Sequence, residues 1–228
     1  MKTIASILFV LVAAPAAANQ SFALPEGCEG YVTIQKRGCV VTHLFTCAGD
    51  PPGQQRRADL GEDGLDYLGI IDAEAQWVES FHVTAGHTDT LGPRIRDAAS
   101  FTELLETGAD DFDFETTSDL YGVTRYVGRD GLTGVVVEID GVPLRETDFE
   151  LTAFDAAGAE LFRVSGREYI HPDWRTFVSG VRRVTSANGV TETDNTPVDF
   201  AFPGEPGFLA RDPVQDCSVV LSLAEIGQ

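Results

Sequence analysis

Between Tyr121 and Phe202 the sequence alternates six long β-prone runs with short turn signals, a pattern that suits little besides an antiparallel sheet. The runs are Tyr121–Val127, Leu132–Ile139, Leu144–Phe154, Glu160–Ile170, Trp174–Val184 and Val190–Phe202. The breaks are Arg129-Asp130-Gly131, Asp140-Gly141, Asp155-Ala156-Ala157-Gly158, Pro172-Asp173 and Asn188-Gly189. Asp-Gly and Asn-Gly supply the positive φ angles of tight hairpins, and Pro172 presets a first turn dihedral. Connections this short join antiparallel neighbours. Phe149, Leu151 and Ala153 alternate with Asp148, Glu150 and Thr152, so one face of that strand is dry and the other wet. Several runs exceed the usual strand length, and long twisted strands in a wide meander coil up. The expected fold is therefore mainly β: a long antiparallel meander coiled into a barrel or half-barrel. Gly166 and Gly180, inside their runs, mark expected bends or bulges.

Upstream, Leu65–Ile71 and Gln76–Val83 read as strands, while Ala48–Ala58 and Gly86–Pro93 read as loops. Ser100-Phe101-Thr102-Glu103 is a capping box, with the Ser100 hydroxyl serving the third residue and Glu103 reaching back. Phe101, Leu104 and Leu105 give one apolar face and Gly108 a stop, so a short helix is expected over 101–107.

Four cysteines, Cys28, Cys39, Cys47 and Cys217, carry no C-x-x-C spacing and read as two disulfides. Tyr31–Lys36 and Cys39–Phe45 form an expected hairpin about Arg37-Gly38. Pairing Lys36 with Cys39 sets Cys28 opposite Cys47, with a bulge near Cys28 to relieve the geometry, and puts Val32, Ile34, Val41 and Phe45 on one face with them. Cys39 is left for Cys217, which ties this disulfide-linked N-terminal hairpin to an expected last strand at Ser218–Leu223. By loop-closure entropy the long closure contributes roughly 5 kcal/mol and the short one about 3.

Residues 1–18 have the form of a secretory leader: Lys2, an apolar run from Ile4 to Ala14, Pro15, then Ala16-Ala17-Ala18. The apolar run is too short to span a bilayer. Cleavage is expected before Asn19, leaving 19–228 as one β-rich domain, periplasmic or secreted, without a lipid-attachment cysteine at the new end. The formal net charge of −20, spread along the chain, disfavours nucleic acid and anionic lipid surfaces as partners.

Chemistry-bearing constellations are few. No G-x-S-x-G occurs. His82, His87 and Asp89 could converge from a strand end and its loop on zinc or copper, although the spacing fits no strong template and surface histidines are the expected role. No metal or cofactor is therefore expected, and chelation should leave stability unchanged. Asp111, Asp113 and Glu115 alternate with Phe112 and Phe114, as on an edge strand with one wet face; the spacing of a calcium loop is missing. The stretch from Gly166 to Phe177 offers Glu168, His171 and Asp173 as acid or base, although cross-strand ion pairs and packed aromatics are the expected role.

Gly166–Phe177 and Phe200–Phe208, with the leader and the four cysteines, resemble a set of exported alphaproteobacterial proteins of unknown function, which supplies no site residues. The coiled meander with one helix also resembles, in architecture alone, the half-barrels of periplasmic lipoprotein carriers. The expected function is non-enzymatic binding of an apolar ligand or a protein partner on the open face of the sheet. The alternatives are a hydrolase or metal-dependent enzyme using His82/His87 or the 168–173 turn, and a structural envelope protein.

Overall fold

The computed structural model describes residues 21–217, so the expected leader at 1–18 and the run Ser218–Leu223 lie outside the described residues. The chain forms β1 (Cys28–Lys36), β2 (Val40–Cys47), β3 (Gln55–Gly61), β4 (Gly64–Ile71), β5 (Trp77–His82), β6 (His87–Asp97), α1 (Phe101–Thr107), β7 (Ala109–Ser118), β8 (Gly122–Ile139), β9 (Val142–Phe154), β10 (Glu160–His171), β11 (Thr176–Ser186), β12 (Gly189–Asp194) and β13 (Pro197–Ala201). β1 to β12 follow one another as a meander, and β13 returns to pair with β1, giving one 13-stranded sheet. Every strand pair is antiparallel, and the sheet is not closed by hydrogen bonds.

Its edges are nevertheless held close together. β12 and β13 are separated by only Asn195-Thr196, yet one pairs with β11 and the other with β1. Asn195 N–H donates to Gly180 O and Arg37 N–H to Thr196 O, so one bent segment carries the chain from edge to edge. The single strand expected over Val190–Phe202 is thus two strands with different partners.

Three other expectations change for local reasons. The loop expected over Gly86–Pro93 is the first part of β6. Its register jumps between Leu91 and Ile95, a break that accommodates Pro93, and Gly92 lies where a Cβ would sit 2.8 Å from Glu115 O. β8 runs straight through Asp130-Gly131; the bend falls instead at Gly134, with φ 82°, where the register shifts between Leu132 and Val136. β3 begins at Gln55, inside the loop expected over Ala48–Ala58.

The first hairpin turns through Arg37-Gly38-Cys39, with Gly38 and Cys39 at φ 69° and 57°. Lys36 therefore faces Val40, and a register shift between Gly30 and Val32 brings Cys28 opposite Cys47. The disulfides are Cys28–Cys47 and Cys39–Cys217. The strands bury both faces rather than one: Val32, Ile34 and Leu44 join Val142, Leu144, Val178 and Phe200, whereas Val41 and Phe45 join Ala58 and Leu60 beside Cys28 and Cys47. Segments flanking the sheet cover that second face. Phe22 stacks on His43, and Leu209 N–H donates to Thr33 Oγ1.

The helix lies where expected. Ser100 caps it by accepting from Glu103 N–H, and Gly108 closes it in the left-handed conformation. The reciprocal half of the capping box is replaced: Ser100 N–H donates to Asp110 rather than to Glu103. Phe101 and Leu104 are fully buried against Ala75 and Ile170, each burial contributing about 1.5–3 kcal/mol. Among the described residues no helix is long and apolar enough to cross a membrane.

Candidate functional site

Directly paired residues of neighbouring strands share a face, so the inner face can be followed from strand to strand. Asp110, Phe112 and Phe114 of β7 lie opposite Asp130, Gly128 and Tyr126 of β8. Those three pair with Phe149, Leu151 and Ala153 of β9, which in turn oppose Gly166, Val164 and Phe162 of β10. The sheet curls strongly toward this face. On a flat sheet β5 and β8 would stand three strand spacings apart, roughly 14 Å, yet the Trp77 and Tyr126 rings are 5.2 Å apart.

The face is filled unevenly. α1 packs on it at Leu132, Ile170 and Phe177. β3 approaches β11 closely, with Arg57 donating to Ser179 Oγ at 3.2 Å and Gln55 to Trp174 O at 2.7 Å. Phe149, Leu151, Phe162 and Val164 remain half-buried, and none of them belongs to the three apolar cores. Glycines let aromatic rings lie close over the backbone here: a Cβ on Gly166 would come within 3.0 Å of the Phe149 ring, and one on Gly128 within 2.5 Å of Phe112. The dry face expected at Phe149 and Leu151 is thus real and only partly covered.

Beside the strip lies a group of buried charges. Lys36, 1% exposed, stands 3.5 Å from Asp59. Asp59 also accepts from Arg57 Nε at 2.9 Å, from Arg57 Nη2 and from Thr42 Oγ1 at 2.5 Å. Burial would raise the Asp59 carboxyl, but Arg57 and Lys36 more than offset that and hold it well below the usual carboxylate range. Burial lowers Lys36 to about 8 despite Asp59. Burial likewise pushes up Glu168, Asp110 to about 6 and Asp130 to about 8, with Glu168 and Asp110 adding to the rise at Asp130. Glu168, Asp110 and Asp130 therefore hold protons more readily than an ordinary carboxyl does. A void of about 10 Å³, water-sized, lies between Lys36, Arg57, Phe177 and Ser179.

His82 and His87 occupy directly opposed positions where β5 ends and β6 begins, joined by the turn Val83-Thr84-Ala85-Gly86. Gly86, at φ 69°, lets its N–H reach His82 O at 2.8 Å and tighten that turn. The rings stack, with centroids 4.4 Å apart and planes 13° apart. Tyr67 meets His82 edge-on and Tyr121 meets His87 edge-on. Asp89, two residues along β6, presents Oδ2 to both: 3.4 Å from His82 Nε2 and 3.5 Å from His87 Nε2. Burial lowers the His82 pKa, and His87 lowers it further, which favours the neutral imidazole. The structure thus brings together all three residues of the histidine constellation.

The other candidates disperse. Glu168 lies in the field of Arg57, Arg182 and Lys36, whereas His171 stacks on Trp174 at 4.1 Å. Trp174 continues into Tyr31, Phe200 and Phe202, and Arg175 bonds Glu74 and Thr102, so the 168–173 turn joins packed elements. β7 lies between β6 and β8 rather than at an edge. Its acids are matched by arginines: Asp111 with Arg129, Asp113 with Arg96 and Arg125, Glu115 with Arg94 and Arg96.

Sequence reasoning missed the Lys36–Arg57–Asp59 group. A signal existed, since Lys36 continues the Val32, Ile34 alternation into what must be the same buried face. Comparison with family models, curated proteins and solved structures returns no match.

Proposed function

We propose that this is an exported, non-catalytic binding protein that holds an apolar ligand against the strip formed by Phe149, Leu151, Phe162 and Val164. The observation that carries the reading is that these four side chains share one concave face and stand outside every apolar core. Ligand sites are concave, mostly apolar and furnished with a few polar groups, and Asp130 and Arg182 border this strip at the positions opposite Phe149 and Gly166. Export is supported by the leader-like start and by two disulfides, which persist in oxidising compartments. The architectural likeness to lipoprotein-carrier half-barrels points the same way as an analogy of shape.

The test is Leu151→Glu, with binding followed by fluorescence of the neutral apolar probe N-phenyl-1-naphthylamine. The native protein should bind saturably, and the variant should bind at least tenfold more weakly while keeping its circular dichroism. If the strip is a filled core, the buried carboxylate should cost about 3 kcal/mol or more, or prevent folding. Either that outcome or an absence of saturable binding by the native protein counts against the reading.

A further inference from the structure

The separations around Asp89 are unlike those of a hydrogen-bonded trio. Both imidazole nitrogens stand 3.4–3.5 Å from the same carboxylate oxygen, beyond the ordinary range for N–H···O bonds of about 2.7–3.2 Å. Zinc bonds to histidine nitrogen and aspartate oxygen of about 2.0–2.1 Å, arranged tetrahedrally, put neighbouring ligand atoms about 3.3–3.4 Å apart. The two separations to Asp89 match that tetrahedral edge, and all three ligand atoms lie within 4.8 Å of one another; because a metal lies in the plane of each imidazole it binds, the stacked rings, 13° apart, must turn to share one ion. His87 adds a second observation: its Nδ1 is buried without a hydrogen-bond partner among the described residues, and its Nε2 meets only Asp89 at 3.5 Å. A metal ion would bind at Nε2 and leave the ring proton on the buried Nδ1.

We propose that His82, His87 and Asp89 bind a single divalent transition-metal ion of the zinc class. The donor set excludes calcium and magnesium, which take oxygen ligands, and suits borderline metals that accept imidazole. The backbone fixes the set. Opposed positions on a tight hairpin hold the two rings together, the two-residue repeat of β6 returns Asp89 to the same face, and Tyr67 and Tyr121 flank the rings. Three protein ligands leave the fourth position to water or an exogenous group, and His82, at 38% side-chain exposure, marks the open side. The site depends on neither Leu151 nor the apolar strip, so the two readings stand or fall separately.

The experiment is calorimetric titration of zinc into the full disulfide-bonded protein after EDTA treatment and desalting, repeated with cobalt(II) to read its visible d–d bands. One ion per chain should bind at micromolar affinity or tighter, with the cobalt spectrum of a four-coordinate site. His87→Gln and Asp89→Asn should each weaken zinc binding at least a hundredfold, and His171→Gln should leave it unchanged. Should His87→Gln fail to fold by circular dichroism, His82→Gln, at a more exposed position, takes its place. Absence of stoichiometric zinc binding by the native protein overturns the proposal, as does undiminished affinity in a folded His or Asp variant.

Discussion

Replacing Lys36 with methionine should leave the protein about as stable at pH 7 as before, although the change removes a buried ion pair. The reason lies in what Asp59 keeps. Without Lys36 it still has both prongs of Arg57 and the Thr42 hydroxyl, so no buried charge is orphaned. Lys36 itself is buried at a cost, because its pKa falls from 10.5 to about 8 with burial outweighing Asp59's attraction. That gap corresponds to about 3 kcal/mol of penalty on the charged form. Since the folded value lies below the unfolded one, the unfolded chain holds more protons between about pH 8 and 10.5, and stability should rise with pH across that window. Below pH 8 the penalty is fully present. Asp130 acts at lower pH and Tyr126, raised to about 12 by burial, at higher pH, and both cancel in a comparison with the variant. Urea unfolding of both proteins at pH 7 and pH 9.5, disulfides intact, reads the difference. The stability of Lys36→Met relative to the native chain should therefore fall by about 2 kcal/mol from pH 7 to pH 9.5. Asp59→Asn, by contrast, leaves Lys36 and Arg57 without their carboxylate and should cost about 3–5 kcal/mol. A loss of 3 kcal/mol or more in Lys36→Met at pH 7, or an unchanged pH response, would refute the reasoning.

Asp130 titrates near 8 in the folded chain because burial raises it, so between about pH 4 and 8 the folded state holds a proton that the unfolded state releases, and stability falls as pH rises. Asp130→Asn should remove that fall and stabilise by about 3 kcal/mol at pH 7.5 relative to pH 5, read as melting temperatures at both; parallel curves for the two proteins would contradict it. Glu74 accepts from Thr102 N–H, Thr102 Oγ1 and Arg175 Nη2, each at 2.8 Å, and so pins the first turn of α1 to the β10–β11 turn. Glu74→Ala should cost about 1–2 kcal/mol and speed hydrogen exchange at the Thr102 and Glu103 amides; unaltered protection there would sink the idea.

What was legible in the sequence was whatever local chemistry decides. Ser100 and Gly108 bounded the helix because capping is a matter of a few neighbouring residues. Asp140-Gly141 made the turn its φ preference requires, with both residues at positive φ, whereas at the last hairpin Gly189 alone takes positive φ and already belongs to β12. The register shift opposite Gly180, where β10 steps from Arg167 to Tyr169 while β11 steps from Val181 to Val178, followed from a glycine inside a strand. Illegible features depended on distant chain. Asp130-Gly131 carries a hairpin signal as strong as any here, but ten consecutive pairs with β7 hold it extended. Pro93 argues for a loop until a wide register jump in β6 accommodates it. The choice by Asn195-Thr196 to leave β11 for β1 depends on an edge more than a hundred and fifty residues upstream. His82, His87 and Asp89 were visible as residue types, while their convergence required knowing that the supposed loop after Gly86 is a paired strand.

The strand number itself bears on the open strip. Eight strands curl into a barrel whose side chains just fill the interior, and wider sheets must leave a lumen or flatten. This sheet has thirteen strands, and distant strands meet where β3 approaches β11 through Arg57 and Ser179, where Gln55 reaches the Trp174 carbonyl, and where β1 and β2 pack on β9 and β11. α1 fills part of what remains, with Phe101 and Leu104 against Ile170. A seven-residue helix is about 10 Å long, too short to cover strands of twelve and thirteen residues that run roughly 40 Å. The half-buried stretch from Phe149 and Leu151 to Phe162 and Val164 is the length left over. At Gly128 and Gly166 the rings of Phe112 and Phe149 lie close over the backbone, where a Cβ would clash with them. Widening of this kind favours an occupant drawn from outside the chain, and it makes Leu151 the position at which a filled core and a ligand site give opposite results.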